Sequence, residues 1–131
     1  MTQQARGTFE VTMAPQPLAD TAADASLGRR SIDKRFHGDL EAVSRGEMLS
    51  AGGSVKGSAG YVAIERVTGT LHGRSGSFAL QHSGTMERGT PSLSVTVVPD
   101  SGSGELAGLA GAMRIVIEAG RHDYLFDYTL A

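Results

Sequence analysis

The stretch Gly69-Thr70-Leu71-His72-Gly73-Arg74-Ser75-Gly76-Ser77-Phe78-Ala79-Leu80-Gln81-His82-Ser83-Gly84-Thr85-Met86 reads as a β-hairpin in the middle of the chain. One strand ends at Thr70-Leu71, His72-Gly73-Arg74 turns, and Ser77 to Met86 runs back in alternation. Gly73 and Gly76 are expected to supply the positive φ of a tight connection or bulge. On the return strand Phe78, Leu80, His82 and Met86 share one face, and Ser77, Ala79, Gln81, Ser83 and Thr85 the other.

Working outward, the same period of two recurs on both sides. Before the hairpin, strands are expected at Gly7–Met13, Gly28–Gly38, Leu40–Ala51 and Lys56–Leu71. After it they are expected at Leu93–Val98, Ala112–Ala119 and His122–Leu130. The second strand sets Arg30, Ile32, Lys34 and Phe36 on one face; the fourth sets Tyr61, Ala63, Glu65 and Val67 together. Gly46 interrupts the third and suggests a bulge. Ala14 to Ser26, with Pro15 and Pro17, breaks the pattern; its Asp20, Asp24 and alanines offer a short helical turn, and it suits a lid over a barrel mouth. Pro99 to Gly111 makes a glycine-rich loop whose Leu106 and Leu109 plug a barrel end.

About eight strands in succession with short turns predict an all-β fold, an antiparallel up-and-down β-barrel closed by its first and last strands. A two-sheet sandwich is the alternative. Glycines spread through the strands favour the strong coiling of a small barrel. A barrel of eight strands is filled by side chains or encloses one small ligand.

Composition narrows the function classes. The chain has 131 residues, 40% hydrophobic and 20% charged, which suits one soluble globular domain over residues 1–131. Its 18 glycines follow no collagen period. Net charge is -2 and aromatic content 5%, so neither a basic field nor stacking platforms favour nucleic acid. The basic pairs Arg29-Arg30 and Lys34-Arg35 read as a solvated strand edge. Cysteine is absent, which removes disulfides and thiolate chemistry. No apolar run suggests a signal peptide or membrane span, and a cytoplasmic location is expected.

Three segments carry a resemblance: Gly7-Thr8-Phe9-Glu10-Val11, the central run Gly73–Met86, and Gly102–Gly111. Together they resemble uncharacterised bacterial domain-of-unknown-function proteins with an allene oxide cyclase-like, calycin-like β-barrel. That family implies a barrel and brings no reaction. Plant allene oxide cyclase is a more distant likeness, through Gly102–Gly111 and Tyr124-Leu125-Phe126-Asp127-Tyr128. It implies a cofactor-free cyclisation of a fatty-acid epoxide, with Glu10 the only residue comparable to its first-strand carboxylate.

Residue chemistry gives the candidates. His37, His72, His82 and His122 form no H-x-H or H-x-x-x-H pair, so no metal is expected, and no cofactor either. His82, on an apolar face, suits a general base or a hydrogen-bonded wall residue. Among Glu10, Glu47 and Glu65, Glu65 is the strongest because Ala63 beside it leaves room for a ligand. Glu65 and His82 are expected to meet in one apolar cavity, with Tyr61, Phe78, Leu80 and Met86 as ligand-binding residues. Burial would raise the carboxyl and lower the imidazole, and their attraction would oppose both shifts. Glu10, Glu65 and His82 are thus the catalytic candidates if the barrel is an enzyme.

The leading expectation is a barrel that binds a small hydrophobic or amphipathic molecule. A cofactor-free cyclase or isomerase working by proton transfer is the second. An oligomeric interaction module with a filled barrel is the third. Apolar residues on both faces, Val62 and Ile64 opposite Tyr61 and Val67, or Leu125 opposite Phe126, predict a homo-oligomer.

Overall fold

A computed structural model describes residues 2–19 and 26–130. The strands are β1 (Gln3–Gln16), β2 (Leu27–Gly38), β3 (Leu40–Gly52), β4 (Ala59–Leu71), β5 (Arg74–Glu87), β6 (Thr90–Val97), the two-residue β7 (Ser103–Gly104), β8 (Ala110–Glu118) and β9 (Arg121–Thr129). No helix occurs among the described residues. Eight strands close an antiparallel barrel in the order β1-β2-β3-β4-β5-β6-β8-β9, with β9 returning to β1; β7 adds to β5.

Local chemistry sets the turns. His72-Gly73, Arg88-Gly89 and Ala119-Gly120 each place both residues at positive φ. This is the two-residue primed turn whose twist matches that of the strands it joins. Gly73 therefore acts as expected, at φ 81°. Gly76 does not: it lies inside β5, where a Cβ would come within 2.1 Å of the Ser103 carbonyl.

The expected strands are present with changed limits. β1 starts earlier, at Gln3, and continues through Pro15 to Gln16. The reason is that β9 reaches only as far as Phe9, so among the described residues the rest of β1 pairs with β2 alone and has a free edge. An edge admits proline, whose missing N–H goes unused there. β4 begins at Ala59, three residues later than expected, and β5 at Arg74, three earlier. No bulge occurs at Gly46, which pairs in unbroken register with Ile32 and Glu65. The helical turn expected around Asp20 and Asp24 falls outside the described residues.

The register gives the barrel its shape. Paired residues lead round the wall from Gln4 through Asp127, Ala112, Thr96, Gln81, Ile64, Glu47 and Ser31 to Ala14, ten residues further along β1. A stagger of this size tilts the strands by roughly 40°. One seam is thin, because β6 and β8 share the single pair Thr96–Ala112.

The core fills one end. Phe36, Leu40, Leu71, Phe78, Leu80, Phe126 and Tyr128 pack there, and Phe78 stacks on Phe126 at 5.9 Å. Leu106 and Leu109 are buried against them and plug that end, as the loop sequence suggested. Each such side chain stabilises the fold by about 1.5–3 kcal/mol. Tyr124 pins the β2–β3 connection: its hydroxyl donates to the His37 carbonyl at 2.8 Å and accepts from the Leu40 N–H at 2.9 Å.

Candidate functional site

Midway along the barrel, four adjacent strands each turn one polar side chain inward. These are Lys34 on β2, Ser44 on β3, Glu65 on β4 and His82 on β5, all buried. The register explains the meeting. Lys34 lies opposite Ser44, and Gly46 opposite Glu65, while His82 lies opposite Ala63, one inward position from Glu65. Diagonal neighbours on one face are about 7–8 Å apart at Cα, within reach of long side chains. Gly46 makes the space: a Cβ there would come within 2.6 Å of the Glu65 Cα and 2.1 Å of the Ile64 carbonyl.

Glu65 is the hub. Its Oε2 accepts from Lys34 Nζ at 2.7 Å and meets His82 Nε2 at 2.6 Å. Its Oε1 accepts from Ser44 Oγ at 2.7 Å. Burial pushes the carboxyl up, but the His82 hydrogen bond, the Lys34 charge and the Ser44 hydroxyl together outweigh it and hold the group at about 2. At Glu65 the expected contest between burial and attraction is therefore won by attraction. Lys34 also sits over the Phe9 ring at 4.9 Å and the Phe36 ring at 5.7 Å, a cation–π arrangement. No buried side-chain nitrogen or oxygen among the described residues lacks a partner.

This layer divides the barrel. On the plugged side lie Phe78 and Leu80, fully packed in the core. On the open side the inward positions include Ala63, Ile32, Tyr61 and Gly84, then Met13, Met48, Met86, Leu93 and Ile117, while Ile115 packs against the core. Tyr61 approaches His82 with ring centroids 6.4 Å apart. Burial, and then the Glu65 charge, push its phenol up. The four residues expected to bind ligand are thus split, with Phe78 and Leu80 below the polar layer and Tyr61 and Met86 above it.

Glu65 and His82 meet as expected; Glu10 does not join them. It lies on the outer face, with its side chain 68% exposed and paired to His37 at 2.9 Å. Lys34 and Ser44 are the residues that sequence reasoning missed. Lys34 was read as a solvated edge charge, yet it is buried and ion-paired at 2.7 Å. Its signal was position: it alternates between Ile32 and Phe36 on the apolar face. Among the described residues no cluster of three or more metal-ligating side chains occurs. Outside the barrel, Leu27, Leu49, Val62 and Ile64 line an open, mainly apolar groove of about 1150 Å³ across β2, β3 and β4.

A carboxylate bonded to one ring nitrogen of a histidine fixes the ring, and the other nitrogen can then exchange a proton or hold a polar group. The Lys34 side chain lies beside it, its Nζ 2.7 Å from the same carboxylate oxygen. The arrangement has the chemistry of a polar floor beneath apolar walls.

A family model described as "Protein of unknown function (DUF3224)" matches residues 5–128. Among solved structures, the chain is similar to the crystal structure, at 1.84 Å resolution, of a protein with unknown function from the DUF3224 family from Shewanella oneidensis MR-1. The two share 50% sequence identity and a TM-score of 0.93, over 100% of this chain and 99% of that one. No curated protein matches. The resemblance to a domain-of-unknown-function family is upheld by these findings, which do not extend to the allene oxide cyclase-like label.

Proposed function

Starting from a chain that belongs to the DUF3224 family, we propose that it binds a small amphipathic molecule in the open half of its barrel. The apolar part lies against the methionine-rich rim and the polar end is set on the layer formed by Lys34, Glu65 and His82. One observation carries this reading. Inward-facing apolar side chains are buried below the polar layer, and so are Ala63 and Ile32 just above it, whereas nearer the rim Met13, Met86 and Leu93 are 46%, 41% and 45% exposed. Covering such surface stabilises a complex by about 25 cal/mol per Å². Methionine is suited to it, since its flexible, polarizable side chain adapts to an irregular ligand. His82 has Nε2 tied to Glu65 at 2.6 Å, which fixes the orientation of its ring.

The test uses 8-anilinonaphthalene-1-sulfonate, an anionic amphipathic fluorophore. Binding in the open half predicts enhanced fluorescence that falls several-fold in Met13→Glu and Met86→Glu and is unchanged in Val62→Asp. Wild-type protein that leaves the probe dark would overturn the proposal. So would binding that is lost only in Val62→Asp, which would place the probe in the outer groove.

The second reading is a cofactor-free isomerase or cyclase, and the buried His82–Glu65 contact of 2.6 Å is what favours it. Here His82, oriented by Glu65, takes and returns a proton, and Glu10 has no part. Turnover separates the two readings: an enzyme converts its ligand and loses that turnover in His82→Gln, while a carrier releases its ligand unchanged from wild type and variant alike.

A further inference from the structure

Past the bridge Thr96–Ala112, β8 has no strand partner on its β6 side among the described residues, while its other side stays paired to β9 as far as Glu118–Arg121. The two-residue turn at Ala119-Gly120 makes Glu118 and Arg121 a hydrogen-bonded pair. Arg114, Val116 and Glu118 therefore aim their backbone groups at β9, and Ile115 and Ile117 aim theirs at the open edge. This edge is apolar on both faces, with Val116 48% and Ile117 67% exposed. It carries no proline, lysine or bulge, the devices that keep a free strand from pairing.

We propose that the open edge of β8 pairs antiparallel with β8 of a second copy, about a two-fold axis through Val116. The sequence Arg114-Ile115-Val116-Ile117-Glu118 is self-complementary in that register. Arg114 of each copy faces Glu118 of the other, Ile115 faces Ile117, and Val116 faces its own counterpart. Shifting the register by two residues either way, which keeps the hydrogen-bond pattern, removes the Arg114–Glu118 match. A parallel pairing in register would set like charges together. The facing charges occupy non-hydrogen-bonded positions, where side chains stand closest. The isoleucine pairs exchange the backbone hydrogen bonds that each edge lacks. Arg114 lies only loosely, at 4.0 Å, against Asp127 on β9, so it is free to turn toward the second acid. The contact is isologous and closes on itself as a dimer. It also brings a second pair of inward-facing isoleucines to the thin side of the barrel.

Sedimentation velocity over a concentration series tests this with Arg114→Glu, Glu118→Arg, the double variant, and an equimolar mixture of the two singles. The wild type is expected to dimerise. Each single variant sets like charges opposite one another and should stay monomeric at concentrations where the wild type pairs. The double variant and the mixture restore opposite charges and should dimerise again. A wild type that is monomeric throughout overturns the proposal. So does a dimer that both single variants leave intact, since copies would then meet through another surface such as the groove at Val62 and Ile64. All these side chains are exposed, and circular dichroism of each variant confirms that the barrel is folded.

Discussion

A carboxyl group moved into an apolar interior ordinarily holds its proton; Glu65 loses it because Lys34, His82 and Ser44 all favour the anion. The sign of the pH dependence follows. Its pKa in the folded chain, about 2, lies below the ordinary 4.5, so the stabilisation is fully present above about pH 4.5 and is lost as pH falls toward 2. By linkage this contributes on the order of 3 kcal/mol. Glu65→Gln removes that dependence and leaves Lys34 buried without its counter-ion, at an expected cost of about 3–5 kcal/mol near neutrality. Urea unfolding at pH 7 and pH 3 reads both effects: the wild type should lose stability between the two, and the variant should lose less. A variant as stable as the wild type at pH 7 would show that the ion pair contributes no net stability. The meeting of Glu65 with His82 was legible from alternation, because neighbouring strands carry both residues on their apolar faces. Lys34 was not, because a lysine's alternation is the same whether its ammonium reaches water or a buried acid.

At the scale of strands, closeness of backbones rather than turn geometry explains Gly46. It opposes Glu65 across β3 and β4, and the atoms that a Cβ would strike belong mostly to the backbone and cannot swing away. Gly46→Ala should therefore separate the two strands at the polar layer and destabilise by about 1–3 kcal/mol. Gly53→Ala is the control, since a Cβ there meets nothing within 4 Å and its φ is not positive. Equal melting temperatures for the two variants would refute this reading. Sequence alone suggested a bulge, because glycine within a strand has the same local signature in either case. The places of the hairpin turns were legible because glycine marks them, but the frame of the last was not: Gly120-Arg121 is the pair the sequence suggests, and the turn lies at Ala119-Gly120, with Arg121 already in β9.

For the molecule as a whole, the stagger and the unequal strand lengths leave the wall tall from β1 to β5 and short at β6, β8 and β9. Protection from hydrogen exchange should follow this asymmetry. In dilute protein, where copies do not pair, the amides of Leu93, Ile115 and Ile117 beside the β6–β8 seam should exchange far faster than those of β1 residues paired on both sides. Uniform protection around the barrel would mean that the seam is closed. The sequence by itself determined the all-β class, the succession of strands, the glycine-marked turns, and the plug of Leu106 and Leu109. Each of these rests on a period of two, a turn residue or an apolar loop that neighbouring residues specify. It favoured a closed barrel over a sandwich, and the pairing of β1 with β9 settled that. Only the tertiary structure decided that a polar layer divides the interior, that the rim above it is open, and that β8 keeps a bare edge. Depth inside a barrel is set by register summed around all eight strands and by the lengths of their neighbours, and a strand's own alternation is the same at every depth.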